Sequence, residues 1–365
     1  AESAIEDARE ETANILGAKP KEIIFTSGAT ESSNLAIKGV AQANVSEGKH
    51  VITQVTEHHA TLDSCAALER QGFDVTILSV DKTGRIDVDD LRDAIRTDTI
   101  LVTMMIANNE VGTIQPVTDI GSICREHDIL FHTDAAQAIG KIPIDVEEMG
   151  IDLLSLSAHK FYGPKGVGAL YVRNRPRPRV IAQMDGGGHE RGLRSGTINV
   201  PGIVGLGTAC QVAQQELENE ANRVHNLRDN LAGQLTAQLD GLHLNGHPEH
   251  RLDGNLNMSF EAIDGESLLM SLKDIALSSG SACTSASCSR PVRLSSKGWP
   301  ERGEGERDTD VFNNFVGGVP GPQPPAGRRR RPRPSTGAAC LQVSCSSGFC
   351  IPRCETRIYP RPTHN

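Results

Sequence analysis

The stretch "DLLSLSAHKFYGPKGVGAL" (152–170) ends an apolar run with an amine. Leu153, Leu154 and Leu156 lead into Ser157, His159 and Lys160, and Gly163-Pro164 and Gly166 follow at once. A lysine on a helix face is an ordinary solvated charge, whereas this one is presented at the tip of a buried strand. Other polar clusters sit in comparable places. "TSGATES" (26–32) follows "EIIF", "TEHHATL" (56–62) follows "HVITQV", "ANNEVG" (107–112) follows "ILVTMMI", and "HTDAAQAIGK" (132–141) follows "ILF". Small residues and hydroxyls opening a helix offer backbone N–H groups and a helix dipole to a phosphate, although plain capping explains "TSGATES" as well. Asp134 directly after an apolar strand is costly unless it meets a cation or metal. A lone histidine at the position of His58 is more often structural, and "GGGHERGLRSGT" (186–197) is by itself only a weak anion cradle. Together, however, a phosphate cradle, a histidine, an acid and a lysine at strand ends are what pyridoxal phosphate needs. The lysine forms a Schiff base, and the acid keeps the pyridinium nitrogen protonated.

The elements that must position these residues are strands alternating with amphipathic helices. The apolar runs "EIIFT", "HVITQV", "DVTILSV", "ILVTMMIA", "ILFHTDAA" and "DLLSLS" are separated by helical patterns such as "TLDSCAALERQ", "DVDDLRDAI" and "VTDIGSICREH". Near-continuous apolar strands in such an alternation predict an α/β fold with a mostly parallel sheet covered by helices, and sites in it collect at the carboxyl ends of the strands. A first helix is expected on Ile5, Ala8, Thr12, Ile15 and Leu16, stopped by Gly17. The domains read as 1–205 for a large cofactor-binding unit and 206–288 for a linking helix with part of a smaller unit. The third segment, 289–365, is a tail expected to lack order.

Composition bounds the partners. The chain has 365 residues and a formal net charge of −9. Residues 289–365 carry 13 Lys and Arg against 6 Asp and Glu, and 11 of the 19 prolines, so the body is strongly acidic and the tail basic. An acidic body argues against nucleic acid as the main partner. No apolar run reaches the length of a membrane span. The scattered Cys65, Cys124, Cys210, Cys283 and Cys288 form no disulfide framework, which fits a reducing compartment. Cys340, Cys345, Cys350 and Cys354 in the tail match no standard zinc spacing, and Arg328–Arg331 reads as a solvated charge run.

Residues 1–287 resemble a cysteine desulfurase of the housekeeping iron–sulfur type, a class V aminotransferase-like family of fold-type I pyridoxal-phosphate enzymes. The matching segments are "TSGATESSNLAIKG", "TEHHATLDSC", "NNEVGTIQP", "FHTDAAQAIGKIPID", "SLSAHKFYGPKGVGALYVR", "GGGHERGLRSGT" and "ALSSGSACTSAS", in family order. The resemblance implies a seven-stranded, mostly parallel sheet and an incomplete small α+β domain. It implies pyridoxal 5'-phosphate held by Ala29, Thr30, Ser157 and His159 through its phosphate, with Thr197 reaching the phosphate of a neighbouring subunit in a homodimer. His58 would stack on the ring and assist proton transfer, Asp134 would pair with the ring nitrogen, Gln137 with the phenolic oxygen, and Asn109 with ring or substrate. Lys160 would carry the cofactor and then act as base. Cys283, in a loop otherwise made of Ser, Gly, Ala and Thr, would attack the substrate sulfur and carry away a persulfide, and would serve as a transient iron–sulfur ligand.

The same resemblance implies L-cysteine as substrate, L-alanine as product, and an iron–sulfur scaffold protein and accessory subunits as acceptors. Nucleic acid enters only indirectly, through tRNA thiolation, and no membrane is involved. The mitochondrial matrix is the expected compartment, with the bacterial cytoplasm as the alternative. A selenocysteine lyase, another class V aminotransferase-like enzyme and a catalytically degenerate partner-binding subunit are the competing readings. Two departures stand out. An N-terminal segment with an Asp-Asn-x-Ala-Thr-Thr-type motif is missing, and "CSRPVRLSSKGWPERG" replaces the family's continuation with its carboxylate-clamping arginine. Truncation, and a shifted reading frame or a mispredicted splice junction after Ser287, are the expected origin. Without partner elements, "NLNMSF" is expected to lack neighbours and "SLLMSLKDIAL" to expose an apolar face, giving reduced stability and poor turnover.

Overall fold

A computed structural model describes residues 1–263, 265–272 and 339–344. Seven strands form one sheet: β1 (Ile23–Thr26), β2 (His50–Gln54), β3 (Asp74–Leu78), β4 (Thr99–Thr103), β5 (Leu130–Asp134), β6 (Leu153–Ser157) and β7 (Gly168–Val172). Their order is β1-β7-β6-β5-β4-β2-β3. All neighbours pair in parallel except β7, which runs antiparallel to both β1 and β6. The carboxyl ends of β1, β2, β4, β5 and β6 therefore open on one edge.

The strand interiors are buried on both faces because helices cover both. Ile52, Val102, Phe131, Leu154 and Leu156 pack into one core, while Ile24, Val51, Leu101, Leu153 and Leu170 pack into the other. Helix α1 (Glu2–Asn14) turns Ile5, Ala8 and Thr12 inward, as the spacing predicts. Arg9 is buried beside them, a position periodicity would give to an apolar residue. Helices α2 (Ala29–Ala43), α3 (His59–Glu69), α4 (Val88–Ala94) and α5 (Val117–Glu126) fill the crossovers. Asp87 caps α4 by accepting from the Asp89 N–H at 2.9 Å.

Helix α6 (Val200–Gln238) runs unbroken for 39 residues, about 58 Å at helical rise, so the expected division near residue 205 lies within a continuous helix. It packs on α1 through Gly207, where an added Cβ would meet the Ala8 backbone at 2.6 Å. Beyond it, β8 (Leu242–Leu244), β9 (Asn255–Phe260) and β10 (Ala339–Ser344) make a small antiparallel sheet ordered β10-β9-β8. Two expectations are corrected here. "NLNMSF" has strand neighbours on both sides, and six residues of the supposedly unstructured tail supply one of them, Ala339 opposite Phe260 through Ser344 opposite Asn255. The short helix α7 (Gly265–Ser271) sets Leu268 against Leu256, Met258 and Phe260, whereas Met270 stays exposed.

A polar seam joins the small unit to the loop after β4. Asn255 Nδ2 and Asn257 Nδ2 each donate to the Glu110 carbonyl at 3.1 Å, and Arg251 Nη2 donates to the Val111 carbonyl at 3.0 Å. The Ile114 N–H donates to the His250 carbonyl at 2.8 Å, and the His247 N–H to Thr113 Oγ1 at 3.0 Å.

Candidate active site

At the β6 end, the strand stops at Ser157 and a single 3-10 turn, Ala158–Phe161, follows. Tyr162 then adopts a left-handed φ of 70°, and a Cβ on Gly163 would meet Ala158 Cβ at 2.8 Å. This tight reversal raises Lys160 at the sheet edge, half-buried. Ser157 Oγ and His159 Nδ1 are hydrogen-bonded at 2.9 Å. The start of α2 lies against them. A Cβ on Gly28 would approach Ser157 Oγ at 3.4 Å, and one on Gly168 would meet Gly28 Cα at 2.7 Å. Only because β7 has no side chain at residue 168 can the helix start come so near. No side chain caps α2, and its first turn, with Ala29 half-buried and Thr30 exposed, presents N–H groups beside Ser157 and His159.

Asp134 ends β5, is 7% exposed, and accepts from the Ala136 N–H at 2.8 Å. Burial raises its carboxyl above the usual range, while the Ala136 N–H and the charges of His58 and Lys160 act in the opposite direction. His58 caps α3 by accepting from the Ala60 N–H through Nδ1 at 3.1 Å, which leaves the proton of the neutral ring on Nε2. Burial lowers its basicity, with the Lys160 charge acting in the same sense and Asp134 opposing. Asp134, His58 and Lys160 thus share one electrostatic neighbourhood, built from the ends of β5, β2 and β6.

Gln137 follows β5, half-buried, and its Oε1 accepts from Lys141 Nζ at 2.8 Å. An ammonium only donates, so the amide oxygen is committed to Lys141 and Nε2 is the atom Gln137 offers elsewhere. Burial and the Lys160 charge pull the Lys141 amine down to about 8. Asn108 is consumed by its loop, donating to the Thr56 carbonyl at 3.1 Å and accepting from the Glu110 and Val111 N–H groups at 2.9 Å. The adjacent Asn109 is half-buried at the end of that loop.

Thr197 is exposed on the 186–199 loop, and no contact within the described residues carries it to the cluster. That loop is pinned from two sides. Arg9 and Glu190 form a buried two-pronged pair at 2.9 Å on each arm, and Glu190 also accepts from the Phe25 N–H at 2.8 Å. Arg194 Nε donates to Glu31 in the first turn of α2 at 2.7 Å. Cys283 lies outside the described residues. Among those residues no group of three His, Cys, Asp or Glu is arranged to hold a metal. Nor is any helix among them long and apolar enough to cross a membrane. Lys141, Glu57 and the Arg9–Glu190 pair carry no expectation from sequence. Only Glu57 had a signal available, an acid next to His58 just past a buried strand.

Comparison with known proteins places this geometry. The family model described as aminotransferase class-V matches residues 1–295. The chain belongs to that family. Within the class V aminotransferase family its relatives include the cysteine desulfurase IscS of Anaeromyxobacter sp. (strain Fw109-5), 61% identical over 287 residues that make up 79% of this chain and 71% of the relative. The cysteine desulfurase of Homo sapiens is 57% identical over 286 residues, 78% of this chain and 63% of that protein. A solved NifS-like protein superposes with a TM-score of 0.73 at 42% identity, covering 76% of each chain. The sheet is that of the fold-type I pyridoxal-phosphate enzymes. Pyridoxal phosphate is the cofactor of this family of desulfurases, and the site suits it in chemistry. A buried acid needs a cation, a helix start and two polar side chains converge beside a strand end, and an amine stands between them.

The Gly28–Gly168 approach gives a test of the phosphate cradle. Gly168→Ala sets a Cβ against the Leu156 carbonyl of β6 and 2.7 Å from Gly28 Cα, so the strand pair or the α2 start beside Ser157 must give way, at about 1–3 kcal/mol of strain. The expected result is a lower thermal midpoint and cofactor affinity weakened by about tenfold or more, read by calorimetry and by absorbance titration with pyridoxal phosphate.

Proposed function

We infer that this chain is a pyridoxal-phosphate-dependent cysteine desulfurase that acts on L-cysteine. The observation that carries the reading is the meeting of Lys160 with buried Asp134 and capped His58 at one sheet edge, in a chain 61% identical to a named cysteine desulfurase. When bound, the cofactor supplies an electron sink for the negative charge that develops on the substrate. Lys160 anchors it and takes the proton from the substrate α-carbon. Asp134 holds a proton at the ring nitrogen, since its burial at the end of β5 favours a cationic partner. Ala29, Thr30, Ser157 and His159 bind the phosphate, Gln137 offers Nε2 to the phenolic oxygen, and Asn109 faces ring or substrate.

The Cys283 thiolate attacks the substrate sulfur. Its electron pair forms the S–S bond, and the C–S pair stays with the β-carbon, which takes a proton, while the α-carbon regains the proton that Lys160 removed, giving alanine. A neutral His58 with its proton on Nε2 is suited to stack on the ring and pass protons. Thr197 completes the phosphate site of a second subunit, in keeping with the dimeric habit of cysteine desulfurases. The persulfide passes to an iron–sulfur scaffold assisted by accessory subunits. The mitochondrial matrix is the proposed setting and a bacterial cytoplasm the alternative, with relatives in both Homo sapiens and Anaeromyxobacter.

Incubation of the purified chain with L-cysteine and pyridoxal phosphate tests this. Alanine and a persulfide on Cys283, seen by mass spectrometry, are expected in equal amounts before any acceptor is added. Conversion of L-cysteine to 3-mercaptopyruvate that requires a keto-acid amino acceptor would instead make the chain an aminotransferase, and activity confined to selenocysteine would make it a lyase. Cofactor binding without either product would leave a partner-binding subunit.

A further inference from the structure

Glu57 immediately precedes His58, is 3% exposed, and does nothing in the proposed chemistry. Its Oε1 accepts from the Met105 N–H at 2.6 Å and from Gln54 Nε2 at 2.8 Å. Met105 neighbours Ile106, whose N–H donates to the Asp134 carbonyl at 3.0 Å, so the two carboxyl-bearing residues are tied to adjacent points of one backbone segment. Glu57 Oε2 makes no hydrogen bond of ordinary geometry among the described residues, and the buried Thr61 hydroxyl beside it is the one further group that favours its charged form. No Lys, Arg or His among the described residues forms an ion pair with Glu57. The groups that face it are Asp134 from β5, whose charge opposes its ionisation, with His58 beside it in sequence and the buried Cys65 thiol on α3. A carboxylate sealed from water without a cation, and next to a second carboxylate, is strongly disfavoured.

We propose that Glu57 is a positioning residue carried as a neutral carboxylic acid, so that the negative charge at these strand ends resides on Asp134 alone. Burial, the first cause, and the Asp134 charge push its carboxyl up to about 8 even though the Met105, Gln54 and Thr61 donors act against this. Its functional consequence rests on the desulfurase reading, since a charge confined to Asp134 is what a protonated ring nitrogen requires. Its protonation state does not rest on that reading. With the folded value at about 8 and the ordinary one at 4.5, the folded protein holds a proton that the unfolded chain releases. Stability is therefore greatest below about pH 4.5 as far as this group is concerned, and declines as pH rises to about 8.

Infrared spectroscopy of the full chain labelled with ¹³C-glutamate reads the state directly, with or without cofactor. A protonated-carboxyl stretch at neutral pH that is absent in Glu57→Gln is expected. Glu57→Gln keeps the acceptor oxygen and supplies a fixed donor, so it should bind pyridoxal phosphate within about twofold of wild type, with its thermal midpoint gaining on wild type between about pH 5 and about pH 9. Absence of the stretch at neutral pH overturns the proposal. So does a tenfold loss of cofactor affinity in a folded Glu57→Gln. If that variant does not fold, persistence of the band in Glu110→Gln assigns it to Glu57, because Glu110 is the other glutamate among the described residues whose carboxyl burial raises, and its disappearance there overturns the proposal. A wild-type chain that shows the band yet binds no cofactor would refute the desulfurase reading and leave the neutral acid standing.

Discussion

Replacement of Lys160 by alanine should abolish alanine formation from L-cysteine, by at least about 10⁴-fold, because in the proposed chemistry one amine both anchors the cofactor and moves the substrate proton. The fold should survive, since Lys160 sits half-buried on a 3-10 turn whose geometry is set by its neighbours, Tyr162 in the left-handed region and Gly163 pressed on Ala158. Covalently held cofactor, read as a borohydride-fixed mass increment, should vanish while the circular dichroism stays unchanged. Lys141 is no substitute because its ammonium is engaged by Gln137 Oε1 at 2.8 Å. An electrostatic corollary separates the anchor from a surface charge. Lys160 suppresses protonation of His58, so the variant's His58 should titrate at higher pH, as followed by NMR. An unchanged His58 titration would mean that residue 160 does not face it.

Arg9→Met should destabilise the chain by about 3–5 kcal/mol, the cost of stranding one member of a buried ion pair. The Arg9 and Glu190 side chains are 7% and 4% exposed, so water cannot rescue the carboxylate left behind. Arg9 also covers the Phe25 ring at 4.5 Å and donates to the Ile23 carbonyl at 2.9 Å, contacts that methionine replaces only in part. Glu190 holds a left-handed φ of 48° and opens the turn that carries Arg194 and then Thr197. The loss should therefore extend beyond stability to the loop proposed to enter a second subunit. Urea unfolding gives the first effect, and the dimer dissociation constant, from sedimentation, gives the second. The double variant Arg9→Met, Glu190→Gln should recover more than half of the lost stability, because it removes the stranded charge. A single variant as stable as wild type would show that the pair contributes nothing.

How far the sequence discloses all this depends on the range of the physics involved. Strands β1 to β6 announce themselves as short apolar runs, and the polar residues after each run fall on one edge because the sheet is parallel there. Lys160, Asp134 and His58 are legible for that reason, each lying within a few residues of a strand end. Strand β7, antiparallel between β1 and β6, is hidden in "GVGALYVR", where glycine gives no propensity signal and its use is steric, the room it leaves Gly28. Arg9 is illegible for a different reason. Its partner is 181 residues away, and a charged residue on a helix face reads as solvated until the loop covering it is known. Ala339–Ser344 lies in a Pro- and Arg-rich tail whose composition masks six residues of alternating character. Cys283, the most consequential residue of the proposed chemistry, stands on sequence alone.

The seam between the small unit and the "ANNEVG" loop turns two bodies into a linkage. Most of its donors sit on residues 247–257, with the Ile114 N–H bonding the other way, and its acceptors include the carbonyls immediately after Asn109. A displacement of the small sheet, levered from the far end of a 39-residue helix, cannot leave that loop in place without breaking several hydrogen bonds at once. The loop that carries Asn109 and the sheet that precedes Cys283 in sequence are thus geared together, so that whatever pulls on one moves the other.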